Sequence, residues 1–300
     1  MKQFMLLCVS LMACLFVSCK NEDIAVSRDV TLNVNPYSIV AGFARHEINV
    51  GDLANFGCSS NPDYYKLRTC LLVYGKNGDL IESISSDLNN YNDSMTDTIT
   101  LSDGEYTVVA IAYIVDIHNG VPCWNVLEMN RLDALKIVNN EELNNLWFKI
   151  LGVGSRIVDV GVGENVFDIT MKPAGSLLIN NFKSVHYFSD YVRYQMFTDK
   201  TPTKITFDAN GSCVASYNTS SDLSYQASFS LITDGYEQDN VYWYSFLFPM
   251  GATRFEWHAW DSGGGSHVMG GWKSANIGEG KVYMSTIDLK TTFDITELDN

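Results

Sequence analysis

No two of the seven cysteines stand in a CxxC spacing, and the chain carries no GxSxG, HExxH, Walker or dinucleotide-binding glycine string. The sequence carriers of a zinc ribbon, a hydrolase elbow, a zincin and a phosphate loop are thus all missing. Positive charge is scarce as well, with 20 Lys and Arg against 35 Asp and Glu for a formal charge of -15. So acidic a body disfavours nucleic acid and anionic lipid as partners. Heptads and solenoid repeats do not occur either.

What is present begins with an address. Met1-Lys2-Gln3 supplies one positive charge, Phe4 to Val17 is an apolar run of fourteen residues, and Ser18-Cys19 closes it. That is a secretory leader, too short for a spanning helix of about twenty residues. The stretch Leu15-Phe16-Val17-Ser18-Cys19 resembles a lipobox, so residues 1–18 read as signal peptide, Cys19 as the lipidated residue and 19–28 as a tether. Acyl chains there would hold a soluble body on a membrane without spanning it. The acids just after the cysteine, in Lys20-Asn21-Glu22-Asp23, resemble a surface-export tether, which implies the cell outer membrane, facing the medium. Lys2 is the only charged residue among the first eighteen, so the mature chain carries -16. Cys8 and Cys14 leave with the leader. Cys58, Cys70, Cys123 and Cys213 remain, with three complete pairings and their disulfide state open.

Strand signals dominate the body. Leu67 to Tyr74 and Leu80 to Ile84 flank a Gly75–Asp79 turn containing Asn-Gly and read as a hairpin. Thr96 to Leu101 alternates, and Ser102-Asp103-Gly104 turns the chain into Glu105 to Ile114, apolar on both alternate sets and so expected to be covered on both faces. One short helix is expected at Asn140 to Ile150, with early acids and an apolar face of Leu143, Leu146, Trp147 and Ile150. Lys172-Pro173-Ala174-Gly175 interrupts two strand-like runs and divides the body into 29–173 and 174–300. Short strands and turns without alternating helices mean an all-β, antiparallel β-sandwich architecture in both halves.

The order of lipobox, LRTCLLVYGKNGDLIES, LSDGEYTVVAIAY, VFDITMKPAGSLLINNF and YWYSFLFP resembles the fimbrillin-like and minor fimbrial-anchor surface lipoproteins of Bacteroidales-type bacteria, over most of residues 25–295. The resemblance implies two tandem transthyretin-like β-sandwich domains and a part in adhesion or fimbria assembly, with other fimbrial subunits or surface proteins as partners. It implies neither catalysis nor a cofactor. In polymerising members a protease cuts after a basic residue near the N-terminus and frees a groove for a strand of the next subunit. Arg28, Arg45 and Arg68 are the basic candidates. Arg45 is the best placed, since Ile39 to Arg45 ends in what reads as an exposed connection.

One stretch invites chemistry of its own, FEWHAWDSGGGSHVMGGW at 255–272. As a hairpin it puts Phe255, Trp257 and Ala259 on one face and Glu256, His258 and Trp260 on the other. A metal site from His258, Asp261 and His267 has no evident fourth ligand, and the glycine loop fixes no geometry. A glycan platform fits better: Trp260 or Trp272 could stack on a sugar face while His258 or Asp261 bonds hydroxyls. That supports an alternative role as a glycan-binding accessory lipoprotein of a polysaccharide-uptake system.

Overall fold

The run from Glu105 to Ile114 lies in a strand whose residues 108–116 are all buried, because sheets and loops cover both of its faces. The computed structural model in which this is seen describes residues 26–46, 53, 62–140, 150–183, 192–208, 211, 213–231, 240–247, 251–260, 267–288 and 292–298. The first half contains β1 (Ser27–Asn35), helix α1 (Tyr37–Ala44), β2 (Tyr65–Gly75), β3 (Leu80–Leu88), β4 (Met95–Ser102), β5 (Gly104–Asp116), β6 (Val121–Pro122), β7 (Trp124–Leu127), β8 (Lys136–Asn139), β9 (Leu151–Val160), β10 (Val166–Thr170) and β11 (Lys172–Pro173). The second half contains β12 (Ser176–Lys183), β13 (Val192–Phe207), β14 (Cys213–Leu231), β15 (Asn240–Leu247), β16 (Gly251–Trp260), β17 (His267–Ile277), β18 (Val282–Asp288) and β19 (Thr292–Leu298).

The fold is all-β, a pair of sandwiches. In the first, a sheet of order β10-β1-β4 packs on one of order β11-β9-β5-β2-β3. The β2–β3 hairpin turns at Gly78 with φ of 81°, a left-handed conformation that glycine adopts at no steric cost. In the second, the sheet β15-β12-β18-β19 faces β17-β16-β13, with Leu178, Tyr283 and Ile295 of the former packed against Phe255 and Ile277 of the latter. Most pairings are antiparallel. Two are parallel, β1 with β10 and β12 with β18.

Two features tie the sandwiches together. The hairpin β7–β8, although it belongs to the 29–173 segment, pairs through Lys136, Ile137 and Val138 with Thr206, Ile205 and Lys204 of β13 and so extends the second sandwich's sheet. The same apolar cluster that holds Leu32, Leu71 and Ile111 also contains Leu177, Ile205, Phe207 and Val282, so the halves share buried surface across the Lys172–Gly175 join.

The helix stands where the local pattern does not announce it. The segment 141–149, where the sequence suggests one, lies outside the described residues. A helix, α1, occupies the stretch read as an exposed connection, with Ile39, Val40 and Phe43 buried and its two ends, Tyr37 and the capping Arg45, exposed. Pro36 precedes it without a side-chain cap, so packing must supply its stability. Ile39 lies so close to the backbone at Gly152 that a side chain there would collide with it, and Gly42 lets the helix approach Val282 and Leu177. The helix is thereby wedged between β9 of the first sandwich and β12 and β18 of the second.

Candidate functional site: a central strand with capped edges, and an exposed tryptophan

The nonapeptide SRDVTLNVN of β1 alternates, and alternation sends Val30, Leu32 and Val34 into the core at 0%, 0% and 1% exposure. Its outward residues form a cross-strand polar ladder. The Thr100 hydroxyl donates to Asp29 (3.1 Å), Thr31 and Thr98 share a hydrogen bond (3.2 Å), Thr96 donates to Asn33 (3.0 Å), and Asn33 donates to Asp168 (3.0 Å). At the strand's start the Arg28 guanidinium grips Asp103, and its hydrogen bond holds the Asp103 carboxyl below the usual carboxylate range. β1 is thus an inner strand, with β10 on one side and β4 on the other. Removing it would expose two unpaired strand edges and an apolar floor at once.

The outer edges of that sheet are blunted. On β10 the Arg156 guanidinium, lying 5.4 Å from the centre of the Phe167 ring, donates to the Asp168 carbonyl at 2.9 Å. On β4 the Asp97 carboxylate accepts the N–H of the next residue, Thr98, at 2.8 Å. The same device recurs on the edge strands of two other sheets, from Glu82 to the Ser83 N–H of β3 (3.2 Å) and from Asp294 to the Ile295 N–H of β19 (2.9 Å). Lys273 hydrogen-bonds Asp294 and, with that N–H, holds its carboxyl below the usual range. A backbone donor satisfied by its own chain cannot template a foreign strand, and an inward or edgeward charge repels one.

The three arginines singled out from the sequence differ in availability. Arg28 is engaged with Asp103, and Arg68, within β2, makes a two-pronged pair with Asp87 at 2.8 Å on each arm, which depresses the Asp87 carboxyl. Arg45 is exposed at the end of α1, its backbone N–H bonded to the Ala41 carbonyl. Cleavage after it would leave β1 and α1 on one fragment, held by packing and by the ladders of β1 to β4 and β10 but no longer by the chain.

In the second sandwich, β16 sends Thr253, Phe255 and Trp257 inward and Arg254, Glu256 and His258 outward. Register pairs Glu256 with Trp272 and His258 with Gly270 on β17. Trp272 is 64% exposed, with the Arg254 guanidinium 5.4 Å from its ring centre, and Glu256 bonds both Arg254 (3.1 Å) and His258 (2.7 Å). The structure therefore joins Trp272 and His258 on one outer face and adds Arg254, whose i, i+2 spacing to Glu256 is the signal that could have found it. The side chains of Trp260 and His267, and Asp261 altogether, lie outside the described residues, as does Cys19.

Other groups are structural. Burial raises the Cys70 thiol above its ordinary value, against a hydrogen bond with Tyr113. Among the described residues no group of three or more His, Cys, Asp or Glu could hold a metal ion, and no helix is long and apolar enough to cross a membrane.

No protein-family model matches the sequence, and no curated protein does. Among solved structures, the chain is similar to a proposed adhesin of Bacteroides thetaiotaomicron VPI-5482, with a TM-score of 0.48 at 11% identity over 91% of this chain and 98% of that one. It is also similar to the tip fimbrial protein Mfa3 of Porphyromonas gingivalis, at TM-score 0.42 and 12% identity over 90% and 99% of the two chains. The fimbrial anchor protein Mfa2 of the same organism gives 0.40 and 10% over 90% and 95%.

Proposed function

We propose that this chain is a lipid-anchored surface protein of adhesion or fimbria assembly, a binding protein and not an enzyme, which joins other subunits by strand exchange at its first sandwich. The observation that supports this reading is the placement of β1. It is a short, alternating strand from the N-terminal part of the chain, and it fills the middle position of a sheet whose two outer strands each have a backbone group bonded by a side chain. Strand addition takes affinity from main-chain hydrogen bonds and specificity from pockets for alternate side chains, here those of Val30, Leu32 and Val34. Arg45 is the proposed cleavage point for releasing β1. Because the proposed lipid site, Cys19, precedes β1, release of that strand would also release the anchor, so an anchored subunit keeps its own strand.

Deletion of residues 25–35 tests the reading. Assembly into polymers should be abolished while the second sandwich stays folded, and polymers like those of the wild type would refute it. Metabolic labelling with palmitate that leaves Cys19 unmodified would remove the anchor from the proposal.

A second reading, a glycan-binding accessory lipoprotein of a polysaccharide-uptake system, draws on Trp272, whose ring is mostly in solvent beside a fixed row of polar groups. Glycan pull-down that disappears in Trp272→Ala would favour it. Silence across host and plant glycans would count against it.

A further inference from the structure

At the open end of the β10-β1-β4 sheet the polar ladder runs into a cavity of about 500 Å3. Its walls include Asn33, Asn35, Tyr37, Thr96, Asp168 and Thr170. The walls carry one carboxylate and no basic side chain, two carboxamides, several hydroxyls, and the Tyr37 ring at 39% exposure. Several of these groups are already held in place. Asn33 is fixed from both sides by Thr96 and Asp168 (3.0 Å each), Asn35 Oδ1 accepts the Tyr37 N–H (2.9 Å), and Ser38 donates to the Met171 carbonyl (2.7 Å).

We infer that this notch is a binding site for a neutral saccharide residue, and that it exists only while β1 is seated. Fixed amides, hydroxyls and a carboxylate beside an exposed aromatic ring match a ligand with hydroxyls on its rim and an apolar C–H face. The size falls within the range of small-molecule sites, and the walls' preorganisation spares the ligand part of the ordering cost. A lone negative charge without a cation turns away anionic ligands. Asn33, Val34 and Asn35 come from β1, and Tyr37 and Ser38 from the helix behind it, so half of the cavity leaves with that segment. A ligand that binds only the seated state stabilises it by linkage, and strand release correspondingly expels the ligand. Saccharide occupancy would thus hold the N-terminal strand against exchange, a coupling that rests on the strand-exchange reading above.

The test uses the full chain. Ligand-observed saturation-transfer NMR with galactose, glucose, fucose and N-acetylglucosamine should give transfer to at least one of them, and none to N-acetylneuraminate, which carries a carboxylate. The apparent affinity should weaken about tenfold in Tyr37→Ala and in Asp168→Asn, and stay unchanged in Trp272→Ala, which reports the other face. Hydrogen exchange within residues 27–35 should slow about tenfold when the bound sugar is present at ten times its Kd. Transfer to no neutral sugar, or transfer lost in Trp272→Ala and kept in Tyr37→Ala, overturns the site. Sugar binding that leaves exchange in β1 unaltered overturns the coupling. The two readings fail separately: sugar binding in a chain that never assembles refutes only strand exchange, and assembly by a chain blind to sugars refutes only the notch.

Discussion

Replacing Leu32 by Ala tests the seating of β1 directly. Leu32 is fully buried in the middle of the strand, between Val30 and Val34 and opposite residues of both neighbouring strands. Truncating a leucine in such a place removes its transfer free energy and leaves a cavity that the surrounding sheets fill only in part, at a cost of about 3 kcal/mol. For a chain of this size that loss should lower the thermal midpoint by about 5 °C. Thr31→Ala is the matched control one position away, on the outer face, where only a hydroxyl contact to Thr98 at 3.2 Å is lost. Its cost should stay below about 1 kcal/mol. Scanning calorimetry measures both, and hydrogen exchange localises the effect: amides of β1, β4 and β10 should lose protection in Leu32→Ala, while those of β18 should not. Equal midpoints for Leu32→Ala and Thr31→Ala would show that β1 is not seated in this register, and the strand-exchange argument would go with it.

Three further outcomes are expected. Gly154→Ala should destabilise by about 2 kcal/mol, because the new methyl would run into the Thr170 carbonyl, whereas Gly161→Ala, with nothing within 4 Å, should be near neutral in the same urea titration. Asp97→Val and Asp294→Val should each uncover a backbone donor on an edge strand and raise self-association seen by sedimentation velocity; variants that stay as monodisperse as the wild type would refute the capping role. Asp103, Asp87 and Asp294 have folded-state acidities strengthened by Arg28, Arg68 and Lys273 respectively, so the stability they contribute is present above the unfolded carboxylate value near 4 and is lost as pH falls through the lower folded values. Protection factors at the start of β1, taken against the intrinsic exchange rate at each pH, should therefore be flat from about pH 5 to 8 and fall below about pH 4, and a fall centred near neutrality would contradict the assignment.

The parts of the fold legible in the sequence are those in which one strand carries its own evidence. β5 announces burial on both faces through an unbroken apolar run, β2 and β3 announce a hairpin through Asn77-Gly78, and β16 sorts Phe255 and Trp257 from Glu256 and His258 by alternation. Where structure depends on a distant partner, the signal is absent. The helix α1 has no capping side chain and includes β-branched Ile39 and Val40 with Gly42 in its middle, a weak helical sequence held by β9 and β18. β7 and β8 are four residues each, and nothing in WNVL or KIVN says that they extend a sheet of the other sandwich. Parallel pairing of β1 with β10 joins segments some 135 residues apart, as the Asn33–Asp168 bond shows, and so leaves no local trace. At the candidate site the sequence offered Trp272 and His258 but not their joint face, since only cross-strand register sets Glu256 beside Trp272.

Sheet edges bear on the strand exchange proposed for the first sandwich. A protein that recruits partners by simple edge addition leaves an edge open, with N–H and C=O groups pointing into solvent. Here the acid preceding Thr98 takes an N–H on one edge, and Arg156 takes a carbonyl on the other. Capping at Ser83 and Ile295 extends the same protection to edges that do not border the N-terminal groove, which is how a chain defends itself against unspecific pairing. The strand contact proposed here is replacement of β1 itself. That route is selective for a reason of counting: the incoming segment must satisfy two ladders of opposite polarity, parallel to β10 and antiparallel to β4, while placing three apolar side chains at alternate positions. A one-residue slip would turn Val30, Leu32 and Val34 equivalents into solvent and polar residues into the core, so register and partner identity are selected by the same burial. In that proposal edge capping and a replaceable centre act together: the first would remove the unspecific contacts that the second would otherwise have to compete with.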